Sequence, residues 1–230
     1  MKVLIGVTSC EQNEERRRAQ LETWIIEAWL TPWPVELEIK FFLGARFEAA
    51  PDPLCCYLPC CDDYASLPEK HDELVKFALA NKFDFLFKCD DDTYLRVDRL
   101  LASGFEKYDY VGWTKGRHFA SGGPGYWLSS FAMGLLAERG PLDPERRFRG
   151  HCDAAVGASL AKSDMYPVHD ERYQTGCAAD ENFAPSKYNS MISLHNCRPE
   201  PPIPPSSRPG VSHSASFRRS MYEVHKEFWR

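Results

Sequence analysis

The chain has 230 residues, of which 43% are hydrophobic and 27% charged, and a formal net charge of -5. This is enough apolar material for one globular domain with a substantial core, which excludes a disordered chain. The acidic balance argues against nucleic acid as a partner, because phosphate neutralisation needs a basic face; an anionic ligand would have to be held by a cation or by helix dipoles.

The opening segment, MKVLIGVTSC, has the outline of a lipoprotein leader ending at Cys10, but its apolar part covers only residues 3 to 7. A signal core needs at least about 7 apolar residues, so the segment reads as a first, buried strand. Glu27 interrupts the longest apolar candidate, residues 24 to 30, and nothing approaches the ~20 residues of a membrane span. These features predict a cytoplasmic protein without a transmembrane segment.

A helix is expected after the polar turn of residues 8 to 12. Asn13 suits an N-cap, Glu14 and Glu15 suit the positive end of the dipole, and Leu21, Trp24, Ile25, Ala28 and Trp29 form an apolar stripe that Pro32 and Pro34 end. VELEIKF then alternates, with Val35, Leu37, Ile39 and Phe41 on one face, as a half-exposed strand does. Nine cysteines include the cluster CCYLPCC, Cys55, Cys56, Cys60 and Cys61. Adjacent cysteines in a strand point to opposite faces, a poor arrangement for zinc, so small buried hydrophobes in a reducing compartment are expected. A second helix comes next in LPEKHDELVKFALANK, with Leu74, Val75, Ala78 and Leu79 on its stripe, and FDFLFK leads as a strand into Asp90, Asp91 and Asp92.

Alternating strands and helices predict an α/β fold, a mostly parallel sheet flanked by helices, with ligands beyond the carboxyl ends of the strands. Further on, YDYVGW reads as a strand, GYWLSSFAMGLLAERG as a strand turning into a helix, DAAVGASLAKS as a helix and MISLHNC as a short last strand. Residues 1–197 thus form the expected domain. Residues 198–230 begin with the proline-rich RPEPPIPPSSRPG, which cannot join a sheet. They end in a short helix with Phe217, Met221, Val224 and Phe228 on one face. That helix either packs back on the domain or touches a partner or a membrane surface.

Three adjacent aspartates repel one another unless a cation relieves them. Strand alternation lets Asp90 and Asp92 face one divalent ion while Asp91 points away. An EF-hand loop starting at Asp90 fails, since its sixth and twelfth positions are Leu95 and Leu101 rather than Gly and Glu. A haloacid-dehalogenase-type phosphotransferase pattern would place Thr or Val where Tyr94 stands, and a metal-dependent phosphohydrolase ranks last. The remaining option is the Asp-x-Asp motif of nucleotide-sugar glycosyltransferases, where a divalent ion neutralises the leaving diphosphate.

Separated stretches in order resemble the β-1,3-galactosyltransferase family, which includes the Fringe-type enzymes. They are RRRAQLETW at 16–24, DDYASLPEK at 62–70, FKCDDDTYLRVDRLL at 87–101, SGGPGYWLS at 121–129 and CDAAVGASL at 152–160. The resemblance implies a GT-A fold, a Rossmann-like sheet with a metal at its carboxyl edge. It also implies inverting transfer of galactose or N-acetylglucosamine from a UDP-sugar to a glycan or glycoconjugate acceptor through a β-1,3 linkage, with Mn²⁺ or Mg²⁺ as cofactor.

By the same resemblance Asp92 ligates the metal, Asp90 approaches the ribose, and His195 is the positional match for a histidine ligand, the alternative being a hydrogen-bonded strand-end histidine. Asp91 is the least assigned of the three and is kept with the nucleotide side. Asp153 matches the general base of a Glu-Asp-Val motif, although it also suits an N-cap; Cys152 replaces the glutamate, and His151 or Asp180 could substitute for it. Thr8, Arg16 and Lys70 are donor-side candidates, while at most one or two of Arg16, Arg17 and Arg18 can face the donor. Gly122, Gly123 and Gly125 either let a sugar approach the backbone or form a tight turn. One of Tyr126 and Trp127 is expected to stack on a sugar while the other is core, and Trp113 has the same ambiguity. A sugar-binding protein that kept the fold and lost transfer is the alternative.

Overall fold

Strand β1 (Lys2–Thr8) is buried from Val3 onward because it runs between two parallel neighbours, β2 (Glu36–Gly44) and β4 (Phe85–Asp90). The molecule is described from a computed structural model covering residues 1–45, 52–114, 116, 118–145, 147–148, 150–174, 190–197 and 220–228. The remaining strands are β3 (Cys55–Leu58), β5 (Tyr94–Leu95), β6 (Tyr110–Gly112), β7 (Tyr126–Ser129), β8 (Val168–His169), β9 (Tyr173–Gln174) and β10 (Ser193–Leu194). Seven strands form the main sheet in the order β3-β2-β1-β4-β7-β6-β8, and β5-β10-β9 form a small second one. β3, β2, β1 and β4 are mutually parallel, and β7 runs antiparallel to both β4 and β6.

Helices cover both faces of the sheet. On one side lie α1 (Glu14–Gln20), a π-helical stretch at Leu21–Ile25, and α2 (Ile26–Leu30), joined by α4 (Val97–Leu101) and the terminal α7 (Met221–Phe228). Val3, Ile5 and Val7 of β1 enter their core together with Trp24, Leu100, Met221 and Val224. On the other side α3 (Leu67–Ala80), α5 (Ser130–Arg139) and α6 (Cys152–Ala161) pack with Leu4 of β1. Gly6 makes the approach of α3 possible, since a Cβ there would come within 2.9 Å of the Leu74 side chain.

Local details depart from periodic expectation for identifiable reasons. The π-helical stretch inserts an extra residue into its turn, which rotates the helical residues after it. Trp24, Ile25 and Ala28 are buried, but Trp29, expected on the same stripe, is 49% exposed. Asn13 stands at the N-cap of α1 without capping it, because its side chain is drawn to Asp91. β2 is not half-exposed along its length: flanked by β1 and β3, it is buried from Phe41 to Gly44. The cysteine cluster supplies the edge strand β3, with Cys55 against one core and Cys56 and Cys60 against the other, as alternation requires. Its cysteines are partly buried rather than buried, and Cys61 is exposed.

α7 packs on the domain through Met221 and Val224. No helix among the described residues is long and apolar enough to cross a membrane. Residues 198–210, Phe217 and Asp180, and the side chain of Phe228, lie outside the described residues.

Candidate active site

The parallel register sets Thr8 at the end of β1 beside Asp90 at the end of β4, so the polar residues that succeed both strands share one edge. The three aspartates then diverge. Asp91 turns into the protein and is 3% exposed. One of its oxygens accepts from Ser9 Oγ at 2.7 Å and Asn13 Nδ2 at 2.9 Å, and the other is 3.1 Å from Arg16 Nη1. Burial pushes this carboxyl above its ordinary pKa, against the pull of Ser9, Arg16 and Asn13. It braces the β1–α1 loop from within.

β4 ends at Asp90, so Asp91 and Asp92 belong to the turn that follows it rather than to an alternating strand; the turn brings Asp92 round to Asp90, and both meet His195. One ligand-capable atom from each of the three lies within 4.8 Å of the others, and no other such group occurs among the described residues. The small sheet brings His195 there. Leu194 of β10 pairs with Tyr94 of β5, and the Cys197 N–H donates to the Asp92 carbonyl at 2.8 Å, so His195, the first of the two residues between, is delivered to the carboxylates. Gly123 clears its path, since a Cβ at that position would lie 2.4 Å from the imidazole Cε1. Asp92 is held below its ordinary pKa: burial would raise it, and the contact with His195 and the charge of Arg16 outweigh burial.

These residues fit a divalent ion. His195 Nε2 stands 3.0 Å from Asp92 Oδ1, a buried oxygen with no other hydrogen-bond partner among the described residues. Two lone-pair donors so placed, with a second carboxylate beside them, form the oxygen-rich set that Mn²⁺ and Mg²⁺ accept. The resemblance implies Asp90 on the ribose; in the structure its carboxylate stands with the other two.

A cavity opens in front of this group, walled by Thr8, Ser9, Asn13, Arg16, Lys70 and Tyr64 as well as the aspartates. Arg16 spans Asp91 at 3.1 Å and Asp92 at 3.6 Å. Of its neighbours, Arg17 donates to Ser9 and to the Cys10 carbonyl and Arg18 is exposed, so one arginine of the three faces the cavity. Lys70 lies at the cavity floor, 1% exposed, donating to the Ser9 carbonyl and to Asp62, each at 2.7 Å. Asp62 in turn accepts from the backbone of Gly44 and Glu11. Lys70 therefore ties three strand-end loops together while its ammonium borders the cavity.

Asp153 sits in the first turn of α6, which begins two residues earlier than a helix capped by it would; the N-cap is His151. Its carboxylate accepts from Gly122 N at 3.3 Å and from Ala154 N at 2.9 Å. Cys152 is buried and its thiol is pushed up to about 11, chiefly by burial, so it offers no acid or base in place of the glutamate.

Two expectations for the glycine loop are corrected. Trp127 does not stack on a sugar: it is fully buried, parallel to Phe105 with ring centroids 3.8 Å apart, and its indole N–H donates to Tyr173. Tyr126 is also fully buried, its hydroxyl paired with His71 at 2.8 Å. Both faces of β7 are covered by protein, so alternation turns neither ring outward. Gly122 and Gly123 are themselves buried and make room for Lys88 and His195 rather than for an open surface. The aromatic at the cavity is Tyr64, 62% exposed, with its ring edge-on to His151. Its backbone carbonyl and ring press on Gly150, where a Cβ would come within 2.4 Å. Nothing local in the sequence distinguished Tyr64. Lys88 did carry a signal, as a charged residue inside an apolar strand.

An acidic, ion-competent group at the carboxyl edge of a Rossmann-like sheet, with a cavity before it, is the architecture of the GT-A glycosyltransferases. No protein-family model matches the chain, and no curated relative matches it in sequence. Solved structures match in fold. A glycosyltransferase involved in the glycosylation of the major capsid of PBCV-1 aligns over 100% of both chains with a TM-score of 0.56 and 10% identity. The galactosyltransferase LgtC, solved with donor and acceptor sugar analogs, aligns over 98% of this chain and 94% of its own with a TM-score of 0.50 and 8% identity. The chain has the GT-A glycosyltransferase fold.

Proposed function

We propose that this protein is a metal-dependent, inverting glycosyltransferase. In this reading it moves galactose or N-acetylglucosamine from a UDP-sugar to a hydroxyl of a glycan or glycoconjugate and forms a β-1,3 linkage. The observation that carries the proposal is the meeting of Asp90, Asp92 and His195 beside one cavity, with Asp153 hooked to the glycine loop that also admits His195.

Asp92, His195 and Asp90 would hold Mn²⁺ or Mg²⁺, which supplies neutralisation of the diphosphate charge as the sugar-phosphate bond breaks. Arg16 and Lys70 add fixed positive charge to the same cavity, and Thr8 borders the region for the base. Asp153 accepts the proton of the acceptor hydroxyl while that oxygen bonds to the anomeric carbon. The carbon's bond to the diphosphate oxygen breaks on the opposite face, and its electron pair leaves with UDP.

Calorimetry with UDP tests the donor site: binding is expected with Mn²⁺ and not after chelation, and no binding with any divalent ion would sink the proposal. Cys152 favours one alternative, a UDP-sugar-binding protein without transfer, because it removes the neighbouring carboxylate. Asp153→Asn separates the two. A transferase loses roughly 10²–10⁴ in turnover, the range for a general base, while UDP and Mn²⁺ still bind; a binder has no turnover to lose.

A further inference from the structure

Lys88 lies in the middle of β4 with its side chain only 2% exposed. Burying an ammonium costs several kcal/mol unless it is paired and hydrogen-bonded, and an apolar residue would fill the same space without that cost. Its Nζ donates to Asp90 Oδ1 at 2.5 Å and to the Gly122 carbonyl at 3.2 Å. Gly122 is held from its other side as well, since its N–H donates to Asp153 Oδ2 at 3.3 Å. A Cβ on Gly122 would stand 2.9 Å from Lys88 Nζ, so glycine is what lets the ammonium close on it, while the 3.5 Å left to the Asp153 Cβ is ordinary contact.

We infer that Lys88 is a positioning residue for transfer, a clamp that orients the Asp90 carboxylate on the ion side and, through Gly122, the Asp153 carboxylate on the acceptor side. The inference rests on the glycosyltransferase reading for its consequence, and on the hydrogen bonds alone for the clamp. The two halves of the site then share one rigid connection, about one side chain wide, at the centre of the sheet.

Lys88→Met keeps length and volume and removes the charge. In hydrogen exchange followed by NMR, the Gly122 amide of this variant is expected to exchange at least about tenfold faster, while amides of β1 keep their protection. Turnover is expected to fall about 100-fold with the donor KM within about threefold. Mn²⁺ binds no more weakly, because a competing positive charge has left Asp90. Lys88→Gln, which can still donate to Gly122, is expected to recover part of the Gly122 protection and part of kcat. Unchanged Gly122 exchange would refute the clamp whether or not the protein is an enzyme. Faster exchange with unchanged kcat, or kcat and Mn²⁺ affinity falling together with the folded fraction, would refute the positioning role. A wild-type chain that binds no UDP with Mn²⁺ would instead refute the function proposed above.

Discussion

Gly123 and His195 occupy space that only one of them can fill: a Cβ at residue 123 would lie 2.4, 2.5 and 2.7 Å from three atoms of the imidazole. The contact is between a loop preceding β7 and a residue just past β10, and it fixes where the histidine stands relative to Asp92. Gly123→Ala is therefore expected to displace His195 and weaken Mn²⁺ binding at least about tenfold, with the far-UV circular dichroism unchanged. In a His195→Ala background the same substitution should cost nothing further, which a double-mutant cycle of Mn²⁺ titrations would read. Equal losses in both backgrounds would mean that the glycine acts elsewhere.

Asp91 and Asp92 are neighbours with opposite duties. Asp91→Ala removes a buried carboxylate that satisfies Ser9, Asn13 and Arg16, and is expected to cost about 3 kcal/mol in urea unfolding, the scale of breaking a buried charged network. Asp92→Asn should leave stability within about 1 kcal/mol of wild type and remove most Mn²⁺ affinity. The reverse pattern would exchange the roles of the two.

Tyr64 presents its ring at the cavity, seated on Gly150 and edge-on to His151. If that ring supports the transferred sugar, Tyr64→Phe keeps the donor KM within about threefold and Tyr64→Ala raises it roughly tenfold, the scale of one aromatic stacking contact. Equal effects of the two substitutions would point to the hydroxyl instead.

Acid stability has an identifiable contributor outside the site. His71 is 2% exposed, and burial, followed by the charge of Lys88, lowers its pKa from 6.5 to about 3. Below pH 6.5 the unfolded chain takes up a proton that the folded one refuses, so stability is lost as the pH falls from 6.5 towards 3 and this contribution levels off below that. His71→Gln should flatten the fall of Tm over that interval. A Tm profile with the same slope in both proteins would remove His71 from the account.

The parts of the fold carried by period were legible in the sequence. β1, α3 and β4 follow from apolar runs and stripes, whereas the separate surroundings of Asp91 and Asp92 come from a turn after β4 that strand alternation does not describe. Trp29 was misplaced because one extra residue in a π-helical turn is invisible to a 3.6-residue pattern. Trp127 was misread because alternation says that two faces differ but not whether both are covered. β3 escaped because four cysteines suggest chemistry before they suggest a strand. Tyr64 lay inside the DDYASLPEK stretch, but its place at the cavity, against Gly150 86 residues along the chain, could not be read from that stretch.

The small sheet that delivers His195 also makes the ion site a long-range property. Thr8, Arg16, Lys70 and the aspartates all lie between residues 8 and 92, whereas the imidazole that faces Asp92 lies 103 residues further along the chain. Arg16 and Lys88 are the counterweights that the carboxylates find nearby, at 3.1 Å from Asp91 and 2.5 Å from Asp90. The short strand β10 turns that acidic edge into a completed receptor, so the capacity to grip an ion depends on the pairing of two two-residue strands far apart in sequence.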